Sequence, residues 1–270
     1  MPFPPGLHVV TYPFPSDTPL DPGAPLVVLV HGTLDRANSF RRTIMRLPDV
    51  RVVAYDRRGY QGSRGEGGPV DVEGHIEDLR GVVRAAVGDG APATVVGHSL
   101  GGVVTMGAAL AEPDLFASIA AYEPPMPWLG SEGRPDGPPS LPGVTMIDDP
   151  DAMVENFFRR QAGDSTWEGL ADAARADRLA DGPALMTELR SLRSTEPFDV
   201  TELAMPALFG VGGVRSEPRH QAAHEWLLEH VPGSEGMVIE AAGHGAHLTH
   251  PDAFALFVRR AIERGAPAGA

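Results

Sequence analysis

The sequence has no cysteine among its 270 residues. This absence excludes a disulfide framework, thiolate zinc sites and a cysteine nucleophile, so covalent chemistry would need another side chain. Positive charge is also scarce, because 22 Lys and Arg residues face 36 Asp and Glu residues and give a net charge of −14. Binding to phosphate backbones or to anionic lipid needs a basic face, so neither nucleic acid nor a membrane is expected as a partner.

Long apolar runs are missing as well. No stretch reaches the roughly 18 uninterrupted apolar residues of a membrane-spanning helix. Residues 1–7 have neither the basic nor the apolar region of a secretion signal. Together with the lack of cysteine, this predicts a soluble cytoplasmic protein. With 42% hydrophobic residues the chain can bury a substantial core, and its composition leaves open whether it forms a homo-oligomer.

Short apolar runs alternate with helical patterns along most of the chain. Continuous runs rich in Val and Ala are typical of strands buried on both faces, and strands that alternate with helices predict right-handed crossovers and a parallel sheet. Strands are predicted at residues 26–30, 50–55, 93–96, 116–122, 206–211 and 236–240, and core helices at 71–87, 102–111, 219–230 and 251–264.

The alternation is interrupted after Tyr122. Residues 124–143 are rich in proline and glycine and predict a loop. We therefore expect one α/β core domain, formed by residues 1–123 and 201–270, with a helical insertion at residues 124–200. Helices within the insertion are predicted at residues 152–162, 167–180 and 183–194.

The motif Gly97-His98-Ser99-Leu100-Gly101 lies where a predicted strand ends and a helix begins. A serine on such a sharp turn projects its hydroxyl above the sheet, and the flanking glycines are needed because larger side chains would clash. The following helix directs its N-terminal amides at the site, where they can stabilise an oxyanion. The pattern is short and also arises in plain glycine-rich loops, so its meaning depends on its surroundings.

A second motif, His31-Gly32-Thr33, follows the first clear parallel strand. Ligand sites in open α/β sheets form at the carboxyl ends of the strands, so this motif is expected at the same sheet edge as Ser99. The backbone N–H of Thr33, paired with that of Leu100, would form a two-donor oxyanion hole, and Gly32 would permit a close approach. The alternative interpretation of this motif is a simple turn.

These features resemble the α/β-hydrolase family over nearly all of residues 25–265. The resemblance implies a mostly parallel sheet of the eight-stranded type, flanked by helices, with a helical cap inserted after the sixth strand. It also implies that Asp56 and the arginines after it are structural. The motifs that carry it, in the family's order, are His31-Gly32, Asp56-Arg-Arg-Gly-Tyr-Gln-Gly-Ser63, Gly97-His-Ser-Leu-Gly101 and Gly243-His244 followed by Pro251.

The catalytic base must come from ten histidines. It has to take the proton of the Ser99 hydroxyl and return it to the leaving group. The resemblance assigns this role to His244, and His247 and His250 are the nearby alternatives. His98, inside the serine motif, is expected to line or support the site. The other histidines are scattered along the chain and predict no metal-ligand cluster.

The acid that orients the histidine is harder to place. Most of the family has an Asp after the seventh strand, but the corresponding residues 209–218 contain none. A minority of the family places the acid at the end of the sixth strand, where this chain has Glu123 directly after an apolar run. This pattern is similar to that of the fungal zearalenone lactonases, whose triad is Ser, His and Glu. Glu123 is therefore preferred, and Glu217 is the alternative.

Residues 124–200 contain the apolar side chains that would face a substrate. Trp128, Met126 and Phe158 are the candidate contacts, although each of them could instead join the insertion to the core. Apolar side chains without a basic cluster favour a neutral ester or lactone over a phosphorylated substrate.

The expected function is that of a serine hydrolase that cleaves a carboxylic ester or lactone of a mostly apolar small molecule through an acyl-enzyme. Ser99, His244 and Glu123 would form the triad, and no cofactor or metal is required. Two alternatives stay open. One is C–C bond hydrolysis or other non-ester chemistry on the same triad. The other is a ligand-binding receptor with negligible turnover.

Overall fold

The computed structural model describes residues 1–13, 20–21, 23–65, 67–129, 145–194, 197–214 and 216–266. Within these residues the strands are β1 (Val9–Tyr12), β2 (Leu26–Val30), β3 (Arg51–Tyr55), β4 (Ala93–His98), β5 (Phe116–Tyr122), β6 (Ala207–Gly212) and β7 (Glu235–Ile239). They form one sheet in the order β1-β3-β2-β4-β5-β6-β7. Strand β1 pairs antiparallel with β3, and every other pair is parallel.

This sheet confirms the α/β-hydrolase fold. Each strand that the sequence predicts is present, with ends shifted by at most two residues, whereas the sequence does not predict β1. The described residues contain seven strands rather than the eight of the expected type. The strand that the resemblance numbers sixth is therefore β5, and the one that it numbers seventh is β6.

Helices connect most of the strands. Helix α2 shows how the sequence sets their ends: the Asp71 side chain accepts the Gly74 N–H at 2.9 Å, and Gly88 ends the helix with φ +56°. The helices among the described residues are α1 (Arg41–Ile44), α2 (Val72–Val87), α3 (Leu100–Ala111), α4 (Pro150–Ala162), α5 (Asp164–Glu168), α6 (Asp172–Leu179), α7 (Gly182–Ser194), α8 (Pro218–His230), α9 (Ala246–Thr249) and α10 (Pro251–Gly265). None of them is both long and apolar enough to cross a bilayer.

The helix predicted at residues 167–180 is wrong, because the chain forms two short helices there. Helix α5 ends at Gly169, whose N–H bonds to the Ser165 carbonyl, and Ala171 is extended (φ −62°, ψ 151°) before α6 begins. The other two predicted helices of the insertion correspond to α4 and α7. The loop predicted at residues 124–143 lies outside the described residues from residue 130 onward.

The core has two apolar layers, one on each face of the sheet. Helices α2, α3 and α8 bury one layer, which includes Ile76, Val103 and Trp226. Helices α1 and α10 bury the other, which includes Ile44 and Phe254. This packing leaves the carboxyl ends of the parallel strands at one edge, where α4 to α7 lie beside Leu34 and Tyr60 in a third apolar cluster.

A buried carboxylate on α7 joins these inserted helices to the core. Glu188 is fully buried, and its Oε1 accepts a hydrogen bond from Arg57 Nη1 at 2.5 Å. Its Oε2 accepts from the Tyr60 hydroxyl at 2.7 Å and from the Thr33 hydroxyl at 2.8 Å. His75 Nε2 lies 2.9 Å from Oε1. Buried charges are tolerated when they are paired and hydrogen-bonded in this way.

We predict that Glu188→Gln lowers the free energy of unfolding by about 3–5 kcal/mol, because it leaves the buried Arg57 without a carboxylate. Urea denaturation measures the change. The control is Glu155→Gln, which removes an exposed pair with Arg159 on α4 and is expected to cost about 0.5 kcal/mol or less. Equal losses in the two variants would contradict this account of the buried pair.

The cost of Glu188→Gln should also depend on pH. Burial alone raises the pKa of Glu188, but the charge of Arg57 and the neighbouring His75 lower it from 4.5 to about 2. Because the pKa of Glu188 is lower in the folded protein, its ionised form stabilises the folded state at pH values above the unfolded pKa of 4.5. This stabilisation is lost as the pH falls toward 2. Urea denaturation from pH 6 downward should therefore show the wild-type advantage shrinking below about pH 4.5. A constant difference would contradict the shift.

Candidate active site

Ser99 occupies a sharp turn between β4 and α3. Its backbone has φ +53° and ψ −125°, a left-handed conformation that a serine adopts only where the surroundings enforce it. A Cβ on Gly97 would lie 2.2 Å from the Gly101 carbonyl oxygen, and one on Gly101 would lie 2.2 Å from the carbonyl oxygen of Val30. Both glycines of the motif are therefore sterically required, as the sequence predicts.

His244 lies after β7 and is paired with Glu123. Its Nδ1 donates to Glu123 Oε2 at 2.7 Å. Glu123 follows β5 directly and has φ +47°, and its N–H donates to the carbonyl of Gly210 on β6 at 2.9 Å. With Nδ1 carrying the proton, Nε2 of the neutral ring is left as an acceptor. His244 and Ser99 line the same cavity.

The second oxygen of Glu123 is held by the loop after β6. Oε1 accepts the Gly212 N–H at 2.8 Å and the Ser216 hydroxyl. The side chain is fully buried, and burial alone raises its pKa, but the hydrogen bond and charge of His244, with further help from His220 and Ser216, lower it from 4.5 to about 2. Glu123 is therefore an ionised acceptor at neutral pH.

The alternative residues considered for these positions have other partners. Glu217 forms ion pairs with Arg160 and Arg219, each at 3.0 Å. His247 Nε2 lies 2.9 Å from Asp35 Oδ2, and His250 Nδ1 lies 2.9 Å from the Thr249 hydroxyl. Of the acids and bases that the sequence proposes for the triad, Glu123 and His244 are thus the pair that the structure joins by a hydrogen bond.

The expected oxyanion residues also lie beside Ser99. A Cβ on Gly32 would lie 2.9 Å from the Ser99 Cβ, so only glycine permits this approach. Leu100 is the first residue of α3, and its N–H therefore has no acceptor within the helix. Thr33 lines the cavity, and its hydroxyl is fixed on Glu188.

A cavity of about 630 Å³ opens over Ser99 and is lined by the core and by the inserted helices. Met126 and Phe158 lie in its wall, together with Leu129, Phe157, Leu189 and Leu192. Trp128 does not, which corrects the expectation that it contacts a substrate. Trp128 is buried in the core, and its ring packs against Phe198. It belongs to a turn in which the Leu129 N–H donates to the Met126 carbonyl, and this turn directs the side chain inward.

Two further histidines flank the pair, and sequence reasoning assigned only one of them to the site. His220 on α8 stacks on His244, with ring centroids 4.8 Å apart and an interplanar angle of 17°. His98 Nε2 donates to the His244 carbonyl at 2.8 Å. Burial lowers the pKa of His220 to about 3 and that of His98 well below its usual range, so both rings are neutral at neutral pH. No local pattern marks His220, because its role depends on where α8 packs.

Two arginines lie in the cavity wall, where the sequence predicts apolar side chains without a basic cluster. Arg219 on α8 is paired with Glu217, whereas Arg178 on α6 donates through Nη1 to the backbone carbonyl of Leu34. The sequence does not place them in one wall, because α6 and α8 reach the same cavity only in the folded chain.

Two groups of side chains consist of residue types that bind metal ions. The sequence does not predict these groups, because their histidines are scattered along the chain. Asp35, His98 and His247 form one, and Glu123, His220 and His244 the other. In each group the candidate ligand atoms lie within 4.8 Å of one another. Each already contains a carboxylate–histidine hydrogen bond, so a cation would have to displace a proton that the present arrangement uses.

Residues 27–255 match the model of the alpha/beta hydrolase family, so the chain belongs to this family of hydrolases. The polyketide synthase ThaQ of Burkholderia thailandensis is 30% identical over 85% of this chain but only 11% of its own length. The chain spans about half, or less, of the first curated relatives that it matches.

Other relatives are similar over most of their length. The pimeloyl-[acyl-carrier protein] methyl ester esterase of Neisseria meningitidis serogroup C is 27% identical over 88% of this chain and 93% of its own. The esterase EaEST of Exiguobacterium antarcticum has a TM-score of 0.69, with 19% identity and 95% of each chain covered, which supports the fold.

We predict that Glu123→Gln lowers kcat by about 10³–10⁴-fold. The Gln carbonyl would have to accept from Gly212 and Ser216, so its NH₂ would face His244 Nδ1 and force the proton to Nε2. Steady-state hydrolysis of a p-nitrophenyl ester measures the loss.

The matched control is Glu217→Gln, which removes the charge of the alternative acid and should change kcat only a few-fold. Near wild-type turnover in Glu123→Gln, with a large loss in Glu217→Gln, would show that the wrong carboxylate is assigned.

Proposed function

We propose that the chain is a serine hydrolase that cleaves a carboxylic ester or lactone with a largely apolar body. The observation that carries the proposal is the His244–Glu123 hydrogen bond of 2.7 Å beside a serine held in a strained turn of the same cavity. A nucleophile, a base and a group that orients the base are what acyl transfer requires. The likeness to a methyl ester esterase over most of both chains favours ester chemistry.

In the first half of the reaction, Ser99 Oγ attacks the substrate carbonyl carbon while His244 Nε2 takes the hydroxyl proton. The imidazolium that forms is stabilised by the ionised Glu123. The backbone N–H groups of Thr33 and Leu100 stabilise the oxyanion. The intermediate collapses as His244 returns the proton to the leaving oxygen, which departs as an alcohol or, in a lactone, stays attached to the acyl chain.

In the second half, water attacks the acyl-enzyme. His244 takes a proton from the water, the C–O bond to Ser99 breaks, and the proton passes to Ser99 Oγ. The product is a carboxylic acid, and no cofactor takes part. The neutral rings of His98 and His220 keep further positive charge away from His244 while it is an imidazolium.

Met126 and Phe158 are proposed substrate contacts, since both lie in the wall of the cavity. His98 is proposed to support the site through its hydrogen bond to the His244 backbone. The inserted segment at residues 124–200 is proposed to act as a cap, because helices α4 and α6 and the end of α7 supply one side of that wall.

We predict that Ser99→Ala lowers hydrolysis of p-nitrophenyl butyrate by about 10³-fold or more, because the nucleophile is lost. Wild-type protein should also gain the mass of a fluorophosphonate adduct at Ser99. The control is Ser165→Ala, which removes an exposed hydroxyl and should leave both signals unchanged.

The opposite outcome would favour a ligand-binding receptor. Tight binding of esters without release of p-nitrophenol, and without adduct formation at Ser99, would contradict the proposed hydrolase.

A further inference from the structure

Arg178 is a cation in the wall of the cavity that has no anionic partner among the described residues. It belongs to α6, and its Nη1 donates to the Leu34 carbonyl, one residue from Thr33. Its guanidinium lies over the ring of Phe158, 5.7 Å from the centroid. The described part of the chain provides no acceptor for its Nε and Nη2, so two parallel donors remain.

Each carboxylate around Arg178 has at least one other partner. Asp177 pairs with Arg36 at 2.8 Å and with Arg64 at 2.9 Å, and Asp181 pairs with Arg64 at 2.7 Å. Asp35 accepts from His247 and from the Ser39 hydroxyl. Arg178 therefore differs from Arg219, the other arginine of the wall, whose Nε lies 3.0 Å from a Glu217 oxygen.

A half-buried guanidinium without a carboxylate is costly. Burial and the charge of Arg36 lower the pKa of Arg178, and Asp35, Asp181 and Asp177 offset this only at longer range. Removing a charge from water costs free energy unless a partner compensates it. An anion that entered the cavity would provide the missing partner.

We infer that Arg178 binds a carboxylate of the substrate, so that the preferred ester or lactone has an apolar body and one free carboxylate. This inference rests on the proposed hydrolase function and differs from the expectation of a neutral substrate. The two free donors match the two oxygens of a carboxylate in a bidentate pair. A dianion such as a phosphate is disfavoured, because hydrogen bonding to His247 keeps Asp35 ionised in the same wall.

The test compares pairs of substrates that differ only in this charge. The probes are the monomethyl esters of the four-, five- and six-carbon dicarboxylic acids, each beside its neutral terminal carboxamide, with methanol release as the readout. For the acid length that fits best, we expect wild-type kcat/KM to favour the carboxylate by about 10- to 100-fold. Arg178→Met should bring this ratio close to one.

Two further variants make the result specific. Arg219→Met removes the other cavity arginine and should keep the preference for the carboxylate. Arg178→Gln, which retains a polar side chain, should lose the preference as well. It replaces the methionine variant in the test if that variant does not fold. A preference that survives loss of Arg178, or one that disappears only with Arg219, overturns the inference.

Binding to Ser99→Ala separates this inference from the proposed function. Calorimetry with the same ester pairs does not depend on turnover, and the carboxylate should bind about tenfold or more tightly, with the advantage lost in Ser99→Ala/Arg178→Met. Equal or undetectable binding of both ligands overturns the anion site. A clear carboxylate advantage in binding, without methanol release by the wild type from any ester, supports the anion site and contradicts the hydrolase.

Discussion

One buried carboxylate, that of Glu123, fixes the geometry of the candidate site. It lies at the end of β5, and its two oxygens accept hydrogen bonds from Gly212 on β6, from Ser216, and from His244 after β7. Two segments, the loop at the end of β6 and the loop after β7, thus converge on one charge that is shielded from water. Movement of either of them would leave that charge short of donors, which is strongly unfavourable in a buried position. The tautomer and orientation of His244 follow from this constraint.

Glu188 has a comparable role on the other side of Ser99. It links α7 to the core through Arg57 and fixes the hydroxyl of Thr33, so the inserted helices and the proposed oxyanion loop share one buried ionic network. Repacking of α7 would disturb the loop that provides an oxyanion donor. Arg178 lacks such compensation, and this contrast is why its charge indicates a ligand rather than a structural role.

The sequence predicts the features that depend on local pattern. Continuous apolar runs locate the strands, and the steric demand for glycine on both sides of Ser99 identifies the turn. Glu123 can be identified from the sequence because an acid directly after a buried strand must lie at the carboxyl edge of the sheet. The sequence does not predict the inward path of Trp128, the stacking of His220 or the missing partner of Arg178. Each depends on how separate elements of the chain pack together, which no local period encodes.

The position of the acid also accounts for the composition of the loop after β6. Most of the family has an Asp in this loop, as the resemblance implies, but here the loop supplies a neutral donor, Ser216, to Glu123. An Asp in place of Ser216 would bring a second carboxylate into contact with Glu123. Two carboxylates in contact raise the pKa of one of them. A protonated acid would stabilise the His244 imidazolium less well. A carboxylate at Ser216 is therefore unfavourable beside Glu123, and the nearby Glu217 pairs with Arg160 and Arg219 instead.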